Sequence, residues 1–150
     1  MRVQKMKIYL DNCCFNRPYD DQTQDMIMLE TTAKLMIQKM ILERKLDLVW
    51  SYILKFENSR NIYEAKKNAI ANWGKLSVQY IDRSREVERL AEEIMRSGLK
   101  SADALHVSCA IVAQCECFIT VDKRVLKYKN DKITICNPLQ FMSYYGGGEE

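Results

Sequence analysis

The sequence predicts an α/β fold in which about five short strands form a central parallel sheet covered by helices. Short apolar segments alternate with longer amphipathic segments along the chain. The chain has 150 residues, a length that fits one domain with its own core. Hydrophobic residues make up 47% and charged residues 29%, as in ordinary globular domains. Strands separated by helices pair in parallel through right-handed crossovers, so a parallel sheet follows.

The strands are predicted where short apolar runs end at polar or turn-forming residues. These runs cover residues 7–10, 46–50, 78–81, 117–121 and 133–136. Segment 12–24 contains Asn16, Pro18, Asp20 and Asp21 and is predicted to be a loop. Ligands of open parallel sheets bind beyond the carboxyl ends of the strands, so the chemistry is expected at that edge.

The first long helix is predicted over residues 25–44, because apolar residues recur there at helical spacing. Its expected buried face carries Met26, Leu29, Ala33, Met36, Ile37, Met40 and Ile41. This Met-rich face is assigned to the core, and a dimer or partner surface is the alternative.

The later helices are predicted from the same periodicity and from capping residues. A second helix begins at the candidate cap Ser51 and runs towards residue 68, before Trp73 and Gly74 close the region. A third covers residues 85–96 and faces inwards with Val87, Leu90, Ala91 and Ile94. A fourth is capped by Ser101 and buries Ala102, Leu105, Cys109 and Val112. Shorter helical segments are expected at 125–128 and 138–144.

Composition limits the setting in which the protein works. No apolar run is long enough to span a membrane, and Asp11 cuts short the apolar start, so a cytoplasmic location is expected. The six cysteines are expected to be reduced and mostly buried, with a structural zinc site as the alternative. A net charge of +3 is compatible with nucleic acid without being diagnostic. One domain is predicted over residues 1–145, followed by a disordered tail over 146–150.

Four acidic residues are candidates for one site. Asp11 and Asp122 each follow a predicted strand, Glu57 lies on a helix beside apolar residues, and Asp103 lies in the first turn of a helix. Taken singly, each is more often a turn residue, a helix-start residue or a partly exposed helix charge than a functional residue. Four carboxylates share a small space only if cations neutralise them, and oxygen-rich sites suit Mg²⁺ or Mn²⁺.

Several segments together resemble PIN-domain nucleases. These are Ile8-Tyr9-Leu10-Asp11-Asn12 at the first strand, the helix with Phe56-Glu57-Asn58, Ser101-Ala102-Asp103-Ala104-Leu105-His106-Val107, Phe118-Ile119-Thr120-Val121-Asp122, and the segment from Ile133 to Phe141. The segments occur in the family's order over nearly the whole chain. The resemblance implies a three-layer α/β/α sandwich around the parallel sheet.

The resemblance also implies the roles of individual residues. Asp11, Glu57, Asp103 and Asp122 would be the catalytic and metal-binding acids. The substrate-binding candidates are Asn12, Arg17, Thr120, Lys123 and Arg124, of which Thr120 and Asn12 would also support a ligand or a water. Lys127 is a further phosphate-binding candidate, and solvated charge is an equal alternative for all the cations. His106 is expected to pack behind the site, with a hydrogen bond to Asp103, rather than to act as a general base.

The function that the resemblance implies is metal-dependent hydrolysis of RNA phosphodiester bonds by an activated water. The expected cofactor is Mg²⁺ or Mn²⁺, and the expected partners are RNA and a second copy in a homodimer. Many small members are ribonuclease toxins of the VapC type, so an antitoxin protein is a further expected partner. The segment Cys13-Cys14-Phe15-Asn16-Arg17-Pro18 departs from the commonest toxin sequence. The alternatives are a non-catalytic RNA-binding or scaffold module, and a nuclease that acts on DNA or on other phosphodiesters. The sequence contains no Gly-x-Ser-x-Gly elbow and no Walker A motif.

Overall fold

The computed structural model describes residues 5–16 and 25–146, and these form a five-stranded parallel sheet with helices around it. The strands are β1 (Met6–Leu10), β2 (Leu46–Ser51), β3 (Gln79–Ile81), β4 (Cys117–Ile119) and β5 (Thr134–Cys136). Their order across the sheet is β3-β2-β1-β4-β5, and every neighbouring pair is parallel. The predicted α/β fold with five parallel strands is confirmed.

The central strand β1 is buried on both faces of the sheet. Ile8, Tyr9 and Leu10 are all fully buried, as expected for a parallel strand with helices on each side. In β4, the observed strand ends at Ile119, earlier than the predicted end at 121. Asp122 therefore lies in the connection beyond β4, three residues past the strand.

The helices of the described residues surround this sheet. They are α1 (Asn12–Asn16), α2 (Asp25–Leu42), α3 (Tyr52–Ser59), α4 (Glu64–Gly74), α5 (Arg85–Met95), α6 (Ser101–Val112), α7 (Lys123–Lys127) and α8 (Pro138–Phe141), and a π-helical turn Met142–Gly146 follows α8. Helix α1 lies where a loop was predicted, because the first residues after β1 fold into one turn before the breakers at 18–21 begin.

The helix predicted from Ser51 to about residue 68 is two helices. Ser51 does cap α3, since its hydroxyl accepts a hydrogen bond from the Leu54 amide at 3.2 Å. The helix then ends at Ser59, and the Asn61 side chain accepts from the Tyr63 amide at 3.1 Å, which turns the chain before α4. An amide side chain that competes with the helix backbone explains this break.

The predicted buried face of α2 is wrong in part. Met26, Leu29 and Met36 are about half exposed, whereas the buried side is formed by Glu30, Ala33, Lys34, Ile37, Gln38 and Ile41. Apolar side chains occur all round this helix, so periodicity did not decide which side packs on the domain. Met28, Leu35 and Leu42 are also more than half exposed, which leaves an apolar outer surface.

The start and the inner face of α6 also differ from the prediction. Lys100, without a side-chain hydrogen bond, occupies the capping position that was assigned to Ser101. Ala102, Leu105 and Val112 are only half-buried, and the deeply buried residues run from His106 to Ala110. Helix α6 packs against α5 on one side and against β2 and β4 on another, so it is buried around most of its circumference. The inward residues predicted for α5 are confirmed apart from the half-buried Leu90.

The remaining predictions concern thiols, membranes and the chain end. All six cysteines are free thiols and all except the half-buried Cys13 are buried. Within the part of the chain that the structure describes, no helix is both long and apolar enough to cross a membrane. Gly146 ends the π-helical turn, and residues 147–150 of the predicted tail lie outside the described residues.

Lys34 provides a test of how α2 packs. Its side chain is buried, with Nζ 5.9 Å from the centre of the Phe15 ring, and burial lowers the pKa of Lys34 to about 8. Between about pH 8 and the ordinary 10.5, the unfolded chain binds more protons than the folded chain, so stability rises with pH. We expect Lys34→Met to raise the free energy of unfolding at pH 7 by about 1–3 kcal/mol.

Urea denaturation of the wild type and of Lys34→Met at several pH values measures this effect. The variant should lose most of the rise in stability between about pH 8 and 10. Lys39→Met, at an exposed position of the same helix, is the matched control and should change little. A destabilised Lys34→Met protein would contradict the description of α2.

Candidate functional site

Asp11 is the most firmly held acidic residue at the carboxyl edge of the sheet. Its backbone amide donates to the Ile119 carbonyl at 2.9 Å, which continues the pairing of β1 with β4. One carboxylate oxygen accepts from the Asn12 amide at 2.8 Å, and the other accepts from the Thr120 hydroxyl at 2.8 Å. The residue is only 6% exposed, so these donors replace much of the lost hydration.

Thr120 links Asp11 to Asp122. While its hydroxyl donates to Asp11, the same oxygen accepts from the Asp122 amide at 3.1 Å. Asp122 is half-buried, and its carboxylate accepts from the Arg124 amide at 2.9 Å, which caps α7. Thr120 itself is fully buried. Its hydroxyl orients both acids, and the predicted contact of Thr120 with substrate stays a prediction.

Cys13 is a site neighbour that the sequence reasoning missed. Its sulfur lies 3.5 Å from Asp11 Oδ2 and 3.4 Å from Thr120 Oγ1, and it accepts from the Val121 amide at 3.4 Å. Helix α1 brings the thiol back towards Asp11, two residues earlier. Because the segment was predicted to be a loop, Cys13 was not expected beside Asp11 and Thr120.

Glu57 reaches the site through a chain of buried hydrogen bonds. Its Oε1 lies 2.8 Å from His106 Nε2, and because an ionised carboxylate only accepts, Nε2 donates. The other ring nitrogen, Nδ1, lies 2.7 Å from the Tyr9 hydroxyl, which lies 2.6 Å from the Ser51 hydroxyl. Strands β1 and β2 and helices α3 and α6 are thus joined behind the acids. Tyr9 and Ser51 were also missed by sequence reasoning, since both occur in segments read only as strand and cap.

His106 is a buried partner of the acids. Burial lowers the pKa of His106, but the hydrogen bond to Glu57 and the charges of Asp11, Glu57 and Asp103 outweigh it, so the pKa is raised. Nε2 also lies 3.8 Å from Asp11 Oδ1. The predicted hydrogen bond to Asp103 is replaced by the bonds to Glu57 and Tyr9, because the ring points into the domain. The predicted position of His106 behind the site agrees with this geometry.

Asp103 experiences the charges of the other acids. Burial raises the pKa of Asp103, and the charges of Asp11 and Asp122 raise it further, while His106 and Arg124 lower it. After burial, the charges of Asp11 and Asp122 are the largest contributions to the raised pKa of Asp103, although the three residues lie after β1, in α6 and in the β4–α7 connection. Glu57 is connected to this group through His106 rather than directly.

The donor atoms of this site fit a hard divalent cation. Carboxylate oxygens are the ligands that Mg²⁺ and Mn²⁺ prefer, and Asp11, Asp103 and Asp122 supply them at one edge. Among the described residues, no three His, Cys, Asp or Glu side chains form a preassembled metal-binding group. Charges influence one another over longer distances than the roughly 2 Å of a coordination bond. The raised pKa of Asp103 is therefore compatible with the absence of a preassembled group.

The predicted phosphate-binding cations are distributed around the site. Lys123 and Arg124 are exposed in α7, and Arg124 Nε lies 3.9 Å from Asp122 Oδ1. Lys127 is exposed one turn further along the same helix. Asn12 borders a cavity next to Glu57. Arg17 lies outside the described residues.

The PIN domain family model matches residues 8–131 of this chain. The chain therefore belongs to the PIN-domain family, which consists of nucleases and generally uses divalent metal ions. No curated protein sequence matches the chain significantly.

A solved structure shows the same fold. It is the crystal structure of VapBC2 from Rickettsia felis bound to a DNA fragment from their promoter. The match has 14% sequence identity and a TM-score of 0.53, and it covers 88% of this chain and 98% of the other chain. At this identity the similarity concerns the fold, and it confirms the three-layer α/β/α sandwich.

Asp103 should destabilise the metal-free protein. Because its pKa is raised in the folded state, folding favours the protonated form and costs free energy at neutral pH, where the carboxylate is ionised. We expect Asp103→Asn to raise the melting temperature in EDTA. The free energy of unfolding should rise by less than about 1 kcal/mol, because solvent screens the charge of a half-buried carboxylate.

Thermal denaturation in EDTA at pH 7 and pH 4 measures this difference. The gain should shrink towards pH 4, where Asp103 of the wild type becomes protonated. Asp131→Asn, an exposed acid in a turn, serves as the control. Equal stability changes in the two variants would show that the aspartates do not repel one another.

Proposed function

We propose that this protein is a metal-dependent endoribonuclease whose acids are Asp11, Asp103, Asp122 and Glu57. The observation that carries the proposal is the link between Asp11 and Asp122 through the Thr120 hydroxyl, together with His106, which contacts Glu57 and lies near Asp11. Charges that repel in the folded protein cost stability, and a site that keeps them has a functional use for them. Membership of a nuclease family supplies the reaction class.

The three aspartates would hold Mg²⁺ or Mn²⁺. When bound, such a cation activates water and stabilises negative charge on the phosphoryl group. Asp11 is oriented for this task by Thr120 and the Asn12 amide, and Asp122 by Thr120 and by its capping bond to α7. These donors fix the direction of the carboxylates, as supporting groups around metal ligands commonly do.

Glu57 would orient the attacking water or complete the ligand set. Its Oε1 is fixed by His106 Nε2, and its side chain is 26% exposed, so it remains accessible from the cavity. His106 is held in turn by Tyr9, which keeps the ring from rotating. The imidazole therefore acts as a positioning group and a counter-charge rather than as the base.

RNA would bind through cations at the rim of the acidic edge. Lys123 and Arg124 are exposed beside Asp122 and would contact phosphates, as would Arg17 and Lys127. Asn12 would contact the substrate from the side of the cavity. Cations at the rim offset the repulsion between phosphates and the acids. A DNA or other phosphodiester substrate is the alternative.

Protein partners are part of the proposal. A homodimer is supported by the exposed apolar side of α2, where Met28, Leu35 and Leu42 are each more than half exposed. The fold similarity to VapBC2 supports the toxin of a toxin–antitoxin pair, with an antitoxin as a second partner. A cytoplasmic location remains a prediction.

Cleavage of single-stranded and structured RNA tests the proposed reaction. The wild type should cleave with Mn²⁺ or Mg²⁺ and stop when EDTA is added. Asp11→Asn and Asp103→Asn should each lower the rate at least about 100-fold, since even supporting groups around a metal are worth 10–100-fold. Asp131→Asn should cleave like the wild type.

Two results would contradict the endoribonuclease. Equal cleavage by the wild type and both site variants would show that another protein or site carries the activity. RNA binding without cleavage under any metal, unaffected by the acid substitutions, would favour the non-catalytic binding module. Cleavage of DNA but not of RNA would favour a deoxyribonuclease instead.

A further inference from the structure

A cavity of about 330 Å³ adjoins the acidic site at the turn between α3 and α4. Asn12, whose amide donates to Asp11, borders it together with Glu57, so it is continuous with the proposed catalytic edge. Its other walls include Asn58, Arg60, Ile62, Tyr63 and Lys66. Its volume lies in the range of about 300–1,000 Å³ that is usual for small-molecule sites.

The outer wall of this cavity is apolar and aromatic, which is unusual beside a charged site. Ile62 is 84% exposed and Tyr63 is 63% exposed, although both are large hydrophobic side chains. They follow the Asn61 turn, which breaks the chain between α3 and α4 and presents both residues at the surface. A flat, exposed ring beside a phosphodiester site offers a stacking surface for a base.

Two cations accompany these rings. Arg60 lies over the Phe56 ring at 5.7 Å, and Lys66 Nζ lies 5.7 Å from the centre of the Tyr63 ring. Cations next to aromatic rings form surfaces on which single-stranded nucleic acids bind, because phosphates pair with the charges while bases stack on the rings. The acids of the catalytic edge would otherwise repel the same strand.

Asn58 forms a fixed part of the cavity wall. The residue is 7% exposed, and its Nδ2 donates to the Lys67 carbonyl at 2.9 Å, which fixes the orientation of the amide. This bond joins the end of α3 to α4 beneath the exposed Ile62 and Tyr63.

We propose that this cavity binds one unstacked nucleobase of single-stranded RNA next to the cleaved phosphate. Tyr63 stacks on the base, and Arg60 and Lys66 hold the neighbouring phosphates. The inference rests on the proposed function, because it assigns the substrate's base to a site beside the same acids. It predicts a preference for single strands, since a paired base cannot enter.

Binding measured in a cleavage-deficient background tests the base pocket. The full chain with Asp103→Asn is titrated by fluorescence anisotropy against a single-stranded RNA of about ten nucleotides, within the usual site sizes of about 4–16. A second titration uses the same backbone without bases. Tyr63→Ala should weaken binding to the RNA about 5- to 100-fold and leave the abasic strand unchanged. Tyr63→Phe should retain binding, because the ring is kept.

Matched variants separate stacking from charge and from folding. Tyr144→Ala removes another exposed tyrosine, 69% exposed and not among the cavity's lining residues, and should have no effect. Arg60→Ala and Lys66→Ala should weaken both strands and lower the salt dependence of binding by about one ion each. Lys75→Ala, exposed at the other end of α4, is the control for charge.

The outcomes distinguish this inference from the proposed function. If Tyr63→Ala changes neither strand, or both equally, the base pocket is overturned, and an exposed surface for a protein partner is the better explanation. Absence of RNA binding by the Asp103→Asn protein overturns it as well. If the wild type cleaves RNA with metal and Tyr63→Ala leaves KM unchanged, the base pocket is contradicted and the nuclease proposal stands. If RNA binding depends on Tyr63 but the wild type does not cleave, the nuclease proposal is contradicted and the base pocket stands.

Discussion

The placement of acidic side chains at the carboxyl edge of a parallel sheet is the constraint on which the candidate site depends. Strands β1 and β4 are neighbours in the centre of the sheet, so the residues that follow them lie side by side. Asp11 and Asp122 come from these two connections, and Asp103 comes from the first turn of α6. Burial raises the pKa of Asp103 and the charges of Asp11 and Asp122 raise it further, so keeping Asp103 ionised in the folded protein costs free energy. A cation removes this cost, whereas the protein alone can only reduce it.

The protein reduces the cost with hydrogen bonds and one buried counter-charge. Thr120 and the Asn12 amide donate to Asp11, which is nearly inaccessible to water. His106 donates to Glu57 and lies near Asp11, and its raised pKa favours the charged form. Buried charges that are paired in this way need rigid partners, and Tyr9 holds the ring from the other side. Thr120 directly follows β4, Asn12 begins α1, and His106 lies in α6.

Much of the fold could be predicted because its determinants are local. The five strands follow from short apolar runs, and the carboxyl edge of a parallel sheet follows from their alternation with helices. The orientation of α2 could not be predicted, because apolar residues lie on all of its sides and tertiary packing chose the side with Lys34 and Gln38. The break between α3 and α4 depended on the Asn61 side chain, a competition that periodicity does not register.

The candidate site shows the same division. Positions of Asp11, Asp103 and Asp122 could be predicted from strand ends and a helix start. Their supporting groups could not, because Tyr9, Ser51 and Cys13 meet them only through contacts between distant segments. The partner of His106 was also set by tertiary structure, since the ring turns inwards to Glu57 rather than along α6.

The most direct test of the shared acidic site is a crystal structure of the wild-type protein soaked in Mn²⁺, with the ion located by its anomalous scattering. If the acids share one metal site, a strong anomalous peak is expected, coordinated by oxygens of Asp11, Asp103 and Asp122. An edge without Mn²⁺ at saturating concentration, or Mn²⁺ bound only elsewhere on the chain, would contradict it.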